Sequence, residues 1–393
     1  MNILHIIGSL SPAGGGPPEA VRQLVKAYIE VGAQIEVVCL DRPGEPFLKD
    51  IPCPVHALGQ CYLGKYGLSP KLSRWLNQNA VRFDGLVMNG IWTFPGVATR
   101  IAARKARRPY GIFVHGALDP WFNKTYPLKH LKKWIYWPIQ HAVLHDAEAV
   151  FFTTGLERDL AKQSFRKSKW KSVVVPYGIN DPEESHPNHT KQIEAFYGVM
   201  PKLRGRRYLL FLARIHEKKG CDLLIGAFAR VAASAPEVDL VVAGPDQAGL
   251  QHQLERMATE LGIATRVHWP GFLGGDLKWG AIRACDAFVL PSHQENFGIA
   301  VVEALAAGRP VLISNQVNIW TEIDSDKVGL VDEDTLEGTE RLLRRWLALP
   351  EQQRSEMAGR TRPSFVTRYA MNRAAMAINE VFTNAKAAVM AAR

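Results

Sequence analysis

One stretch of the chain, residues 291–310, constrains the fold more than any other. Its sequence is Pro-Ser-His-Gln-Glu-Asn-Phe-Gly-Ile-Ala-Val-Val-Glu-Ala-Leu-Ala-Ala-Gly-Arg-Pro. The apolar run 287–290 before it predicts a buried strand, and the spacing over 298–307 predicts a helix that the following Gly-Arg-Pro ends. A polar loop joins the two. This order is typical of a parallel sheet with crossover helices.

The alternation of strand, loop and helix begins twice along the chain. It starts with a strand at 3–7, and it restarts with a strand at 208–213 after a polar linker at 181–206. A chain of 393 residues is long enough for two to three domains. We therefore expect an α/β protein with two doubly wound domains.

The composition indicates which kind of partner the protein binds and in which cellular compartment it lies. The net charge of +10 favours an anionic partner. Nothing resembles a zinc finger or an RNP motif, so nucleic acid is not predicted. The five cysteines are scattered without a C-x-x-C pair, which indicates a thiol-reducing compartment. The apolar start lacks a basic leader, and no apolar run is long enough to span a bilayer. The predicted location is the cytoplasm.

The loop after the first strand contains three successive glycines, 14–16. It is neither G-x-G-x-x-G nor a P-loop, so no dinucleotide or nucleoside-triphosphate motif is indicated. Glycines let backbone approach a ligand closely. On the loop alone, a flexible connector remains an equal alternative.

The loop after the strand at 208–213 carries two cations, Arg214 and Lys219. Arg can clamp a phosphate through two parallel bonds, and Lys adds a point charge. Cations at a strand end stabilise negative charge that develops on a leaving group. The alternative is a basic loop that only solvates the start of a helix.

Two carboxylates, Glu295 and Glu303, lie in the opening stretch, one in the loop and one on the helix. Ligands of open α/β sheets bind at the carboxyl ends of strands, and a helix N-terminus attracts anions. A carboxylate there can accept hydrogen bonds from a sugar or ribose diol. Two unrelated surface acids are the alternative for so short a pattern.

Three motifs in order resemble family 4 retaining glycosyltransferases. They are His115-Gly-Ala-Leu-Asp119-Pro-Trp121, the A-R-x-x-x-x-K-G run with Arg214 and Lys219, and P-S-x-x-E-x-F-G-x-x-x-x-E-A-x-A-x-G-x-P. The first is similar to a run in enzymes that build surface polysaccharides. The resemblance covers nearly the whole chain and implies the GT-B fold, in which two Rossmann-like domains face each other across a cleft.

The resemblance also implies domain limits. We expect an acceptor-side domain at 1–182, completed by a C-terminal helix at about 364–393, and a nucleotide-sugar donor domain at 183–363.

Site roles follow from the resemblance, residue by residue. The implied catalytic residues are His115, Glu295, Arg214 and Lys219. The implied donor-binding residues are Gly15, Gly16, Arg214, Lys219, Asn296, Phe297, Gly298 and Glu303. His115 would contact the donor sugar near its 6-position, and Glu303 the ribose hydroxyls. Asp119 and Trp121 are expected on the acceptor side, where Asp119 orients the acceptor or holds its loop.

The expected function is retaining transfer of a sugar from a nucleotide-diphosphate sugar to a glycan or lipid-linked acceptor. No metal or cofactor is expected to be required. Two D-x-D matches, 324–326 and 332–334, are interpreted as solvated turns. Two alternatives stay open: a sugar-nucleotide epimerase or hydrolase on the same fold, and a silent nucleotide-sugar-binding subunit.

The segment 121–141 interleaves lysines with aromatic residues. Cations beside interfacial aromatics suit an anionic membrane surface, which would place the protein on the inner face of the plasma membrane. The alternative is an ordinary helix that buries Leu128, Leu131 and Ile135 as one stripe. The sequence departs from the family pattern at the exit from the first domain, where Tyr177 replaces the usual Asn of P-N-G-V.

Overall fold

The chain forms two compact units in the computed structural model, which describes residues 1–59, 61–165, 169–246 and 248–391. The first unit is Met1–Asn180 with Ala370–Arg393, and the second is Asp181–Tyr369. The predicted boundary at 363/364 falls inside a helix. Ser364 and Arg368 of that helix both bind the carboxylate of Asp326 in the second unit, at 2.6 and 2.7 Å. The division therefore lies beyond the predicted position.

The first unit is built on a sheet of seven parallel strands. They are β1 (Asn2–Ile7), β2 (Gln34–Cys39), β3 (Val55–Ala57), β4 (Gly85–Asn89), β5 (Tyr110–Phe113), β6 (Ala149–Phe152) and β7 (Ser172–Val174). Their order is β3-β2-β1-β4-β5-β6-β7. The chain direction across the sheet reverses between β1 and β4, and ligands bind at the carboxyl ends of strands at such a switch point.

Helices cover the faces of this sheet. They are α1 (Gly16–Glu30), α2 (Pro70–Asn79), α3 (Phe94–Ala106), α4 (Trp121–Thr125), α5 (Pro127–His145) and α6 (Gly155–Ser164). The region 41–82, which is rich in Pro, Gly and aromatic residues, contains β3 and α2. The Ser69 hydroxyl caps α2 by accepting the Leu72 N–H at 3.2 Å.

The second unit has six parallel strands. They are β8 (Arg207–Leu212), β9 (Val238–Ala243), β10 (Val267–Gly271), β11 (Ala287–Leu290), β12 (Val311–Ser314) and β13 (Gly329–Asp332). Their order is β10-β9-β8-β11-β12-β13. The switch point lies between β8 and β11, whose buried apolar side chains explain their central positions.

The remaining helices follow in chain order. They are α7 (Pro182–Ser185), α8 (His189–Val199), α9 (Cys221–Ala232), α10 (Gln251–Glu260), α11 (Gly275–Ala284), α12 (Ile299–Ala306), α13 (Trp320–Asp326), α14 (Leu336–Ala348), α15 (Glu351–Arg368) and α16 (Met371–Ala391). The last helix, α16, packs against α1 in the first unit. Within the described part of the chain, no helix is long and apolar enough to cross a membrane.

Candidate functional site

The switch point of the second unit brings two loops together, one after β8 and one after β11. The His293 N–H donates to the Lys218 carbonyl at 3.0 Å and so joins the loops. Gly220 has a φ of +65°, and a Cβ there would lie 2.1 Å from the Pro291 carbonyl oxygen. Only glycine permits this approach. It brings the Lys219 side chain beside the loop that carries Glu295.

Lys219 and Glu295 form an ion pair in the structure. The Lys219 side chain is 11% exposed and the Glu295 side chain 18% exposed. Burial by itself would raise the pKa of the Glu295 carboxyl, but the charges of Lys219 and Lys218 outweigh it, and the pKa is lowered. Glu295 is therefore a carboxylate at neutral pH, and Lys219 is the cation that holds it. An arriving phosphate would compete with Glu295 for Lys219.

Glu303 lies on α12, where it is 5% exposed. Its Oε1 is 2.6 Å from the Nζ of Lys278 on α11. Lys278 also lies over the ring of Trp279, 4.8 Å from the ring centroid. Sequence analysis did not identify Lys278, because its position in a helix carries no motif. The structure thus pairs each predicted acid of this edge with a lysine.

The loop from Glu295 to Gly298 is fixed before α12 begins. The Glu295 N–H donates to the Gln316 carbonyl at 2.9 Å, and the Asn296 N–H donates to Glu295 Oε1 at 3.1 Å. The Phe297 ring is buried and meets the Tyr369 ring at 6.0 Å. Gly298 is the N-cap of α12. A helix N-terminus presents amides and a positive dipole end, which suits an anion.

Arg214 is exposed and stands at the start of the loop that ends with Lys219. The neighbouring backbone is held, because the Ile215 N–H donates to the Pro245 carbonyl at 3.0 Å. A Cβ on Gly244 would lie 1.8 Å from the Ala213 carbonyl oxygen, so this loop packs tightly on the end of β9. The structure therefore places both predicted cations on one loop at the switch point.

The glycine-rich loop of the first unit ends at the N-terminus of α1. Gly15 is the N-cap with a φ of 75°, and Gly16 is the first helical residue. Around an added Cβ on Gly16, the described residues leave open space within 4 Å. Both predicted glycines are thus at an exposed helix N-terminus, at the carboxyl end of the central strand β1.

His115 follows β5 and has a φ of 47°, which is uncommon for a residue with a side chain. Its ring stacks on Phe113 at 5.3 Å and meets Tyr177 edge-on at 6.5 Å. Among the described residues, the buried Nε2 atom of His115 has no hydrogen-bond partner. Burial lowers the pKa of His115 to about 4. The ring is therefore neutral at pH 7.

Glu157 holds the main chain at two strand ends of this edge, after β5 and after β6. Its Oε1 accepts the Gly116 N–H at 2.7 Å, and its Oε2 accepts the Thr153 N–H at 2.7 Å. The only sequence signal was a helix-capping pattern, in which the Thr154 hydroxyl accepts the Glu157 N–H at 3.0 Å. The sequence does not identify Glu157 as a site residue, because its partner Gly116 lies 41 residues away at the end of another strand.

A second buried histidine, His5 on β1, supports the same edge. Asn89 Nδ2 donates to His5 Nδ1 at 3.2 Å. Burial, and then the nearby His115, lower the pKa of His5 to about 3. Tyr177 is 3% exposed and packs against Phe113 as well as His115. The residue that departs from the family pattern is therefore part of the packing around His115.

Asp119 has a structural contact that favours one of its two predicted roles. Its Oδ1 accepts the Trp121 N–H at 2.8 Å, just where α4 begins. Asp119 is 9% exposed, and the Trp121 ring packs edge-on against Phe122 at 5.3 Å. This arrangement holds the loop between His115 and α4.

Each of the two D-x-D matches contains an aspartate that forms an ion pair with an arginine. Asp326 binds Arg368, and Asp332 binds Arg341. In the described part of the chain, no group of three or more His, Cys, Asp or Glu side chains is arranged to hold a metal ion.

Two family models match the chain in succession. Residues 15–178 match the model described as "Glycosyl transferase 4-like domain", and residues 198–362 match "Glycosyl transferases group 1". Together they take in every predicted site residue and all strands of the two sheets except β1. The chain belongs to the family 4, group 1 glycosyltransferases. The GT-B fold class expected from the motifs is confirmed by the two Rossmann-like units and by solved structures of the same fold.

The names of two curated relatives of this glycosyltransferase each contain a phosphorylated small molecule. D-inositol 3-phosphate glycosyltransferase of Stackebrandtia nassauensis is 30% identical over 199 residues, which are 49% of this chain and 44% of that protein. Mannosylfructose-phosphate synthase of Agrobacterium fabrum is 27% identical over 305 residues, 71% of this chain and 64% of that protein. The chain spans about half the length of the first curated relatives it matches.

Solved structures match the glycosyltransferase over nearly its full length. Anabaena Alr3699/HepE, in complex with UDP and glucose, has a TM-score of 0.76 and 20% identity, and covers 98% of this chain and 100% of its own. WaaG, a glycosyltransferase involved in lipopolysaccharide biosynthesis, has a TM-score of 0.70 and 17% identity over 97% and 99%. At these identities the likeness establishes the fold.

Proposed function

We propose that the protein is a retaining glycosyltransferase that moves a hexosyl group from a nucleotide-diphosphate sugar to a glycan or lipid-linked acceptor. The observation that carries this proposal is the pair of lysine–carboxylate contacts at one switch point, Lys219 with Glu295 and Lys278 with Glu303. One pair offers a cation to a diphosphate. The other offers a buried carboxylate to a ribose diol.

Charge at the leaving group is the main catalytic need. As the bond between the sugar and the diphosphate breaks, negative charge develops on the phosphate. Lys219, Arg214 and the amides before α12 can stabilise that charge more in the transition state than in the ground state. These groups can supply the electrostatic role that a divalent cation has in other sugar transferases, so we propose that no metal is required.

The retaining outcome is proposed from the family resemblance. The acceptor oxygen would form its bond to the anomeric carbon on the face from which the diphosphate departs. The carbon–oxygen bond to the phosphate breaks, and the acceptor proton passes to a phosphate oxygen. Glu295, already held by Lys219, would bind sugar hydroxyls, and neutral His115 would bind the sugar near its 6-position.

We place the reaction in polysaccharide synthesis, in the cytoplasm at the inner face of the plasma membrane. The H-G-x-L-D-P-W segment supports the polysaccharide role through its resemblance. The relative WaaG, involved in lipopolysaccharide biosynthesis, is consistent with a lipid-linked acceptor. Because the structure of Alr3699/HepE holds UDP and glucose, UDP-glucose is the first donor to test.

The test is nucleotide release from a panel of UDP-, GDP-, ADP- and dTDP-sugars, with and without lipid-linked oligosaccharide. Release that depends on the acceptor supports the proposal. Release without acceptor would instead indicate a hydrolase, and binding without release a silent subunit. The anomeric configuration of the product, read by NMR, tests retention, and turnover in excess chelator tests the metal-free proposal.

A further inference from the structure

The helix α5 carries an apolar stripe that faces outward. Leu128 is 79% exposed, Leu131 62%, Ile135 79% and Ile139 49%, and their spacing places them on one face. Trp134 beside them is 40% exposed. The interpretation of Leu128, Leu131 and Ile135 as a buried stripe is therefore wrong. A contiguous exposed apolar patch of this kind marks an interaction surface.

The opposite face of α5 is firmly packed. Trp137 is 6% exposed and stacks on Phe165 at 4.2 Å, and Val143 and Leu144 are buried. The buried Gln140 accepts the Trp92 N–H at 2.7 Å through its Oε1. The outward stripe therefore belongs to a helix held on its other side, and it is presented in a fixed orientation.

The charged residues around the apolar stripe indicate what kind of partner binds to it. No acidic residue occurs between Asp119 and Asp146, whereas that segment contains four lysines. Lys132 is exposed next to Leu131; the side chains of Lys124, Lys129 and His130 lie outside the described set. An apolar stripe with lysines and tryptophans fits the interface of an anionic bilayer. The same stripe on a second copy of this chain would bring the lysines of both copies together.

We propose that α5 lies in the surface of an anionic lipid bilayer, with Leu128, Leu131, Ile135 and Ile139 in the acyl region and the exposed Lys132 at the headgroups. The helix contains Pro138 and lysines, which suits an orientation along the interface.

This orientation places the membrane next to the His115 segment. Trp92, which follows β4, donates its main-chain N–H to Gln140 of α5 and its indole N–H to the Ala117 carbonyl at 3.3 Å. Trp92 therefore connects α5, on which the bilayer would lie, to the loop between His115 and Asp119. Resting on the proposed function, this arrangement would deliver a lipid-linked acceptor to that loop directly from the membrane.

The test compares the wild type with Leu131→Glu/Ile135→Glu in vesicle co-sedimentation. A matched control is Ile29→Glu, whose side chain on α1 is 48% exposed. We expect the wild type and the control to bind phosphatidylglycerol-containing vesicles, less so in high salt, and the double variant to bind about 100-fold more weakly. Far-ultraviolet circular dichroism verifies that all three are folded.

Three outcomes would overturn the proposal: no binding by the wild type, equal binding to pure phosphatidylcholine, or concentration-dependent dimers that the double variant abolishes. Activity provides a separate readout. The double variant should lose turnover with a lipid-linked acceptor in vesicles and keep it with a water-soluble acceptor. Because vesicle binding needs no turnover, failure of the proposed reaction and failure of the membrane surface give different results.

Discussion

The two sheets have the same parallel topology around a switch point, yet their carboxyl edges carry opposite chemistry. The edge of the second unit is built from ionised pairs, Lys219 with Glu295 and Lys278 with Glu303. At the edge of the first unit, which we call the neutral edge after its two histidines, burial keeps His115 and His5 uncharged at pH 7, and the Glu157 carboxylate accepts main-chain N–H groups. The fold therefore does not determine the chemistry of the edge. The side chains that follow each strand do.

The donor in the proposed function has two chemically unlike parts, a diphosphate and a sugar. A diphosphate needs cations, and buried cations need carboxylates to hold them until the ligand arrives. A sugar hydroxyl needs hydrogen-bonding groups whose charge does not compete for the phosphate. An ion pair at low exposure costs desolvation that well-packed apolar residues would avoid. We infer that the pairs at the second edge are retained for binding.

The largest expected effect comes from the charged edge. Lys219→Ala and Glu303→Ala should each lower turnover at least about 100-fold, the scale of losing one strong transition-state contact. Lys202→Ala, at an exposed lysine of the same unit, should leave the rate unchanged. Initial rates of nucleotide release at donor concentrations below KM, which report kcat/KM, make the measurement. Rates like the wild type in both site variants would contradict the site assignment.

A double variant separates catalysis from stability at the same pair. Lys219→Ala leaves the Glu295 carboxylate without its nearest cation, so its Tm should fall. Lys219→Met/Glu295→Gln removes both charges and should recover Tm without recovering turnover. If activity returned together with Tm, the pair would have a structural role only.

The second prediction concerns the neutral edge. His115→Ala removes a hydrogen-bonding group from the sugar and should lower turnover about 30-fold, a typical cost for one buried hydrogen bond to a ligand. The exposed His252→Ala is the matched control, because it also removes one histidine. Equal rates for both variants would remove His115 from the site.

The pH dependence of stability gives an independent readout of His115. Its pKa falls from 6.5 when unfolded to about 4 when folded, so between these values the unfolded chain binds more protons. Stability therefore rises with pH from about 4 to 6.5, and the contribution of neutral His115 is complete above pH 6.5. His115→Ala should flatten that rise in urea denaturation series, whereas His252→Ala should not.

Much of the charged edge was predictable from the sequence. Arg214, Lys219, Glu295 and Glu303 stand at fixed positions after strands, and a local pattern reports such positions. Their partner Lys278 was not predictable, because it comes from α11, and only the packing of α11 against α12 brings it to Glu303. Local sequence indicates which groups line an edge, and tertiary packing determines what holds them.

The neutral edge was less predictable for the same reason. His5, Glu157 and Tyr177 act through contacts between strand ends that are far apart in sequence, and their local sequence does not indicate those contacts. The periodicity of α5 correctly indicated an apolar face and not what covers it. In the region 41–82, the Pro, Gly and aromatic content obscures the periodicity, although Ser69-Pro70 marks the start of α2.

The third prediction uses Glu295→Gln. The amide keeps the shape and loses the charge, so hydrogen bonds to sugar hydroxyls weaken and turnover should fall about tenfold. In the wild type, the lowered pKa of Glu295 contributes stability above its ordinary value of 4.5, and this contribution is lost as the pH falls below 4.5 through the lowered pKa. The variant should show less acid destabilisation than the wild type. An unchanged acid profile would mean that Lys219 does not hold the Glu295 carboxylate.

The smallest expected effect tests why this chain has Tyr177. The buried ring meets His115 edge-on and packs on Phe113, so it keeps water from one side of the imidazole. Tyr177→Asn, which restores the usual family residue, should admit water and raise the pKa of His115 from about 4 towards 6.5, with turnover at pH 7 falling about threefold. Tyr177→Phe keeps the ring and should preserve both values.

NMR titration of the His115 ring in the free protein measures the pKa without turnover. A pKa shared by wild type, Tyr177→Asn and Tyr177→Phe would show that Phe113 and the strand ends alone keep His115 neutral, and that the tyrosine adds only packing. A pKa raised in both variants would assign the effect to the tyrosine hydroxyl, whose own pKa is raised first by burial and then by Glu19 and Glu157.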